Sequence, residues 1–360
     1  MPKDVYERVT EALLLRGGAI PPKKCKEFYD LVEELFTEEQ ADLASRMPLG
    51  AVSAEKMAEL TGRDLGEVER LLEGMADQGL VFCREKGGVR LYTLHQLVPG
   101  ISEYQFMRGT YTEHDKRLAH LFERLHEVTW GTPEADKGRP TFPFSRVLVV
   151  EKVIPTGVEI HLYDKVSEYI KKAEYISVAQ CFCRHQAELL GRPCDKPKET
   201  CFCFGPSARF VAERGFGRFV SKEEALQILD RCEEAGLVHC SSNVAESIDF
   251  VCNCCTCHCG ILQTFKDPNR VKFGARSNYI VETDSERCVG CESCVQICPV
   301  EALRMEDDMV RRDPSLCIGC GLCVSACPSE ALKMVPREEK TIPPRNFHEL
   351  MAALNASIKQ

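Results

Sequence analysis

Two copies of one cysteine phrase, 29 residues apart, constrain what the C-terminal part of this 360-residue chain can fold into. The first is Cys288-Val-Gly-Cys291-Glu-Ser-Cys294-Val-Gln-Ile-Cys298-Pro299. The second is Cys317-Ile-Gly-Cys320-Gly-Leu-Cys323-Val-Ser-Ala-Cys327-Pro328. Each reads C-x2-C-x2-C-x3-C-P, and the copies also agree at Gly290/Gly319, Ala302/Ala331, Leu303/Leu332 and Met305/Met334. A chance cluster of cysteines does not repeat its non-cysteine neighbours. Thiolates are soft donors, and at such spacing they bind metal far more often than they pair as disulfides.

The remaining composition narrows the setting. The length suits roughly two to three domains of ~150 residues, and 44% hydrophobic content gives ordinary core material. A net charge of −9 disfavours non-specific binding to nucleic acid or anionic lipid. The start, Met1-Pro-Lys-Asp-Val-Tyr-Glu-Arg, lacks the apolar run of a signal peptide. No stretch approaches the ~18 consecutive apolar residues of a membrane span. A cytoplasmic location is therefore expected, with the 22 cysteines serving mainly as metal ligands. So many cluster-type ligands also point to an oxygen-poor habitat.

Patterning predicts an α+β multidomain chain. Residues 1–36 read as helices, with Val5, Val9, Leu13 and Leu14 in one stripe, Gly17-Gly18 as a stop and Pro21-Pro22 as a spacer. Residues 37–98 give three helices (Glu38–Arg46, Ser53–Leu60, Leu65–Gln78), Ser53 being a good N-cap. A hairpin about Gly87-Gly88 follows. This order resembles the winged-helix domain of transcription regulators, which implies DNA binding through the third helix. Charge opposes that function, because Asp64, Glu67, Glu69, Glu73 and Asp77 face only Arg63 and Arg70, whereas phosphate contact needs cations. A protein-docking or structural module is the favoured reading. Residues 99–145 read as a helical segment, about 103–130, and a linker beginning at Gly138; His114, His120 and His126 share no face and read as surface histidines. Residues 146–280 read as a cysteine-rich α/β domain. Strands are expected at Val147–Val150, Val158–Leu162, Ile176–Gln180 and Ile248–Val251, and helices at Val166–Lys172 and from Ser221 to Glu234, ended by Gly236. Residues 339–360 form a tail, helical over Phe347–Ile358.

Ten cysteines of the middle domain stand in short steps: Cys181-Phe-Cys183, Cys194, Cys201-Phe-Cys203, and Cys252-Asn-Cys254-Cys255-Thr-Cys257-His258-Cys259. They read as loop clusters after strand-like runs. Cys25, Cys83, Cys232 and Cys240 instead suit small buried hydrophobes. Three chemistries can use the ten: one or more iron–sulfur clusters, which is favoured, a structural zinc, or a redox-active dithiol. For a single extra cubane, Cys183, Cys194 and Cys201 with one cysteine of 252–259 are the preferred ligands. Whether His258 replaces a thiolate is open.

The repeated phrase resembles the bacterial-type 2[4Fe–4S] ferredoxin domain, here at residues 281–338. That resemblance implies two [4Fe–4S] clusters with crossed ligation: Cys288, Cys291, Cys294 and Cys327 on one, and Cys317, Cys320, Cys323 and Cys298 on the other. It also implies one-electron transfer, with short helices expected after the prolines at Val300–Leu303 and Ser329–Leu332. From about Arg146 to Pro328 the chain further resembles a group of anaerobe four-iron ferredoxin-domain proteins, through Cys181-x-Cys183-Arg, Gly236-Leu-Val-His239, Asn243 and Cys252-Asn-Cys254-Cys255. No dinucleotide fingerprint, Walker loop or helical H-E-x-x-H stands in the chain, so no catalytic residue is expected on it. A flavin or nicotinamide site is expected on a redox partner, a flavoprotein or another oxidoreductase subunit. Two other functions compete with this one. They are reduction of a substrate at a middle-domain cluster, and redox-responsive regulation through the winged-helix-like region.

Overall fold

The computed structural model describes residues 4–129, 139–155, 165–246, 248–267 and 270–358. The chain divides into two compact units. The first comprises Met1–Arg139, Phe182–Pro193 and Phe210–Arg218, and the second Pro140–Cys181, Cys194–Arg209 and Phe219–Gln360. The expected strand Val158–Leu162 and the linker start at Gly138 lie outside the described residues.

The first unit is largely helical. Helices Asp4–Arg16, Lys26–Leu35, Glu38–Ser45, Ala54–Thr61 and Leu65–Asp77 bury Phe28, Leu31, Leu43, Met57, Leu72 and Met75 completely. Local chemistry sets their starts. Thr37 and Gln40 form a reciprocal capping box before the third helix, with hydrogen bonds of 3.3 and 3.1 Å. Ser53 Oγ accepts the Lys56 amide at 3.3 Å before the fourth. Strands Val81–Lys86 and Val89–Leu94 then pair antiparallel. Gly87 and Gly88, at φ 61° and 77°, make the tight turn whose twist suits a hairpin. Val52–Ser53 pairs with the second strand and completes a small three-stranded sheet.

The acidic third helix of this region, Leu65–Asp77, spends part of its charge internally. Arg214 reaches Glu73 and Asp77 at 2.6 Å each, and Arg63 bridges Glu67 and Asp42 at 2.7 and 2.8 Å. The expected helix over 103–130 is two helices, Ser102–Met107 and Glu113–Thr129. The second starts on another reciprocal cap, Thr112 with Asp115, a short-range signal the apolar stripe concealed. His114, His120 and His126 are all exposed.

Glu103 gives this unit a pH dependence. Burial pushes its carboxyl up to about 7, against the lowering effect of hydrogen bonds from Gly100 N–H and the Ser102 hydroxyl. An unfolded glutamate titrates near 4.5, so folding favours the protonated form. This stabilising contribution is complete below pH 4.5 and is lost as pH rises to about 7. Glu103→Gln keeps both acceptor contacts and removes the charge. Its unfolding free energy relative to the parent should improve between pH 5 and 7, by on the order of 2 kcal/mol. Urea unfolding at both pH values checks this, and a pH-independent difference would contradict it.

The second unit is mixed α/β. Six of its strands form a sheet in the order Gly274–Ala275, Ser145–Val147, Val238–Ser242, Phe250–Cys254, Glu199–Phe204, Ile176–Gln180. The first pair is parallel and the others antiparallel. Helices Val166–Lys172, Lys222–Glu234 and Gly260–Lys266 accompany it. Ser221 caps the second helix through the Glu224 amide, and Gly236 at φ 71° follows its end. The expected strand Val147–Val150 is Ser145–Val147, and the run at Ile248–Val251 is the strand Phe250–Cys254.

C-terminal to this sheet, strand Tyr279–Thr283 pairs antiparallel with Leu332–Pro336, and Leu303–Glu306 pairs with Met309–Arg312. Two short helices, Ser293–Ile297 and Leu322–Ser325, lie between. The helices expected after the prolines do not form. Glu301 and Glu330 sit at φ 57° and 50°, left-handed backbone that stops a right-handed helix, and strands begin at Leu303 and Leu332 instead. One hydrophobic cluster of the second unit joins the sheet to the C-terminal repeat. It includes Val147, Val149, Val238, Cys240, Cys254 and Leu262 together with Val281, Cys294, Cys320 and Met334. No helix among the described residues is long and apolar enough to cross a membrane.

Candidate metal centres

The repeat folds its thiols into two groups. Cys298, Cys317, Cys320 and Cys323 line one cavity, together with Val281, Val300, Leu303, Ile318 and Met334. Burial pushes the Cys320 thiol up to about 12, helped by the nearby charges of Cys298 and Cys317. Cys323 is raised well above the usual thiol value by burial, then by Cys320, Cys317 and Cys298, with Cys294 of the other group the smallest contributor. In the other group Cys294 is raised by burial and by charge from Cys327 and Cys291. Each group therefore joins thiols of one phrase to the fourth thiol of the other.

Backbone geometry repeats with the sequence. The Ala302 amide donates to Cys298 Sγ at 3.2 Å, and the Ala331 amide to Cys327 Sγ at 3.3 Å. Glycine is required at one turn: a Cβ on Gly319, at φ 72°, would stand 2.1 Å from Tyr279 O and 2.2 Å from Ser277 Oγ. The two groups differ in cover. Cys317, Cys320 and Cys323 are buried, beneath a segment whose Val150 amide donates to Cys320 O at 2.9 Å, whereas Cys288 is half-buried and Cys291 exposed. Ser293 holds the Cys291 thiol below its usual value by backbone and hydroxyl hydrogen bonding. Four soft donors around one cavity, amides aimed at sulfur and a turn with no room for a side chain fit an iron–sulfur cluster held by thiolates.

Four of the ten middle-domain cysteines lie in strands of the sheet rather than in loops. Cys201 and Cys203 lie within strand Glu199–Phe204, and Cys252 and Cys254 within Phe250–Cys254. A strand alternates faces with period two, so each C-x-C step puts both thiols on one face. Cys240 lies opposite Cys252 across the ladder, and Cys252 also hydrogen-bonds Cys201 and Cys254, which raises it well above the usual thiol value. Cys254 is pushed up to about 11, first by its hydrogen bond with Cys240, and it also contacts Cys259. The result is a contiguous group of Cys201, Cys240, Cys252, Cys254 and Cys259. Cys240 had the pattern of a buried hydrophobe, and only strand register reveals its neighbours. Cys203 is pushed up to about 12 by burial and by Asp249.

A separate group lies at the end of the same strand. Cys194 Sγ stands 3.5 Å from Cys257 Sγ and 4.0 Å from Cys255 Sγ, and the ligand atoms of Cys194, Cys257 and His258 all fall within 4.8 Å of one another. Burial, then hydrogen bonds with Cys255 and Cys194, push Cys257 up to about 12. Cys194 and Cys201, paired in the sequence-based ligand set, thus occupy different groups. Cys181 precedes helix Phe182–Leu189, on which Cys183 is half-buried in the first unit.

The opposite face of the sheet carries polar residues. His239 Nδ1 meets Asn253 Oδ1 at 2.6 Å and His239 Nε2 meets Glu233 Oε1 at 3.2 Å, while Asn253 Nδ2 donates to Thr200 O at 2.7 Å. All of these side chains are buried. Loss of any member leaves a buried polar group unsatisfied, so the network holds the register on which the thiol row depends. Among the described residues no two cysteines form a disulfide.

No curated protein matches this sequence. Residues 280–328 match the family model of the 4Fe-4S dicluster domain, which makes this C-terminal segment an iron–sulfur domain.

Proposed function

We propose that this protein is an electron carrier or electron-transfer subunit, passing low-potential electrons between a flavoprotein or other oxidoreductase and an acceptor. The observation that supports it most is the grouping of Cys298 with Cys317, Cys320 and Cys323 around one cavity. Cys288, Cys291, Cys294 and Cys327 are the corresponding ligands of the second cluster. A bound [4Fe–4S] cluster supplies one-electron redox chemistry. The protein's own residues set its conditions. Amides at Ala302 and Ala331 stabilise negative charge on sulfur, and the second-phrase site has mainly apolar walls. The exposed Cys291 end is the point of closest approach for a partner.

Additional iron–sulfur ligands are proposed among Cys201, Cys252, Cys254 and Cys259, joined by Cys240. Several of these share a core with the ferredoxin thiols, which suits an extension of the electron path. The winged-helix-like arrangement of residues 37–98 is proposed as a protein-docking module, in keeping with its acidic third helix. Iron and acid-labile sulfide should be counted on anaerobically purified full-length protein, with EPR after reduction. About eight irons per chain, reducible only at low potential, are expected from the repeats alone, and more if the middle thiols contribute. Failure to bind iron, or clusters that no low-potential donor reduces, would sink the proposal.

A further inference from the structure

At the end of strand Phe250–Cys254, Cys194, Cys257 and His258 are spaced for a single ion, and Cys255 stands beside Cys194. A tetrahedral ion with thiolates at ~2.3 Å holds its sulfurs about 3.8 Å apart. The Cys194–Cys257 and Cys194–Cys255 separations, 3.5 and 4.0 Å, bracket that edge. His258 offers a ring nitrogen within 4.8 Å of the Cys194 and Cys257 sulfurs, and Cys255 joins the set through its contact with Cys194. The histidine sets this group apart from the all-cysteine row of Cys201, Cys240, Cys252, Cys254 and Cys259 and from the repeat, since iron–sulfur clusters are held chiefly by cysteine thiolates.

The geometry points to a mononuclear zinc site formed by Cys194, Cys255, Cys257 and His258. Three thiolates and an imidazole are a preferred donor set for structural zinc, and four protein ligands leave no open position for substrate. The ion ties the loop at Cys194 to the turn at 255–258. That turn directly follows Cys254, so zinc anchors the end of the strand that carries the thiol row. Cys255 is buried and Cys257 exposed, so the site lies at the border of the core, within reach of ions from solvent. This assignment does not rest on electron transfer, and it takes Cys194, Cys255 and Cys257 out of the pool of iron–sulfur ligands.

Zinc, iron and sulfide should be measured together on anaerobically purified full-length protein from medium containing both metals. About one zinc per chain is expected beside the iron, and X-ray absorption at the zinc edge should report three sulfurs and one nitrogen. Cys194→Ser and His258→Ala should each lose most of the zinc with iron and sulfide unchanged, whereas His258→Cys should retain it. Absence of zinc from the parent protein overturns the assignment. So does a zinc shell that lacks the three sulfurs and single nitrogen, or a Cys194→Ser variant that keeps its zinc and loses iron with sulfide. A failed electron-transfer reading shows separately, as repeats that bind no iron.

Discussion

Changing Cys298 to serine is expected to cost the protein the cluster of the second phrase, although Cys298 belongs to the first. The reason is spatial: its thiol lines the cavity of Cys317, Cys320 and Cys323. Iron should fall by about four atoms per chain. Paired variants then test the crossing, because changes within one unit are not additive. Cys298→Ser with Cys317→Ser should lose no more iron than Cys317→Ser alone. Cys298→Ser with Cys288→Ser should lose about twice as much. The reverse pattern, a shared loss for Cys298 and Cys288, would show uncrossed ligation.

Gly319→Ala is expected to be the most damaging single methyl group that can be added to the repeat. The new Cβ would collide with the Tyr279 carbonyl and the Ser277 hydroxyl, and the carbonyl belongs to a strand paired with Leu332–Pro336. Neither can swing aside like the tip of a flexible side chain, since Ser277 Oγ is buried and hydrogen-bonds Gly319 O at 2.6 Å. Left-handed backbone alone costs an alanine roughly 1–2 kcal/mol. Reduced freedom of the unfolded chain offsets only about 0.4–1 kcal/mol. With the collision included, a loss of about 2–4 kcal/mol is expected. Gly290→Ala is the control: it shares the backbone conformation, but its nearest neighbour is Asp308 O at 3.0 Å. Anaerobic urea unfolding should place Gly319→Ala well below Gly290→Ala. Equal midpoints would mean that the turn at 319 relaxes freely.

The ferredoxin-like repeat advertises itself because its spacing is local and its neighbours are copied. The middle domain is harder for a definite reason. Cysteine is both a ligand and a small hydrophobe, so Glu-Thr-Cys-Phe-Cys-Phe reads equally as a metal loop or as a buried strand. The strand is correct, and the C-x-C step is its period of two. The position of Cys240 beside Cys252 depends on register between strands, which no local window contains. His258 likewise acquires meaning only when Cys194 comes near it. Helix starts were partly legible, Ser53 and Ser221 among them, whereas the Thr112–Asp115 cap was hidden by the apolar run it divides.

The unequal cover of the two phrases also bears on how freely their sequences can vary. Position 292 and its copy at 321 share a left-handed backbone, φ 63° and 86°. The first is glutamate and the second glycine. At 321 a Cβ would press on Val153 Cγ2 at 2.8 Å, with Val149 and Val150 just behind; at 292 the side chain is exposed. The two halves of this duplication are consequently not interchangeable. A chain built from two second phrases keeps glycine where it is needed, whereas one built from two first phrases drives a glutamate into a wall of valines. Cover by Val149, Val150 and Val153 leaves the second phrase no room for a side chain at 321, whereas the first phrase has open space at 292.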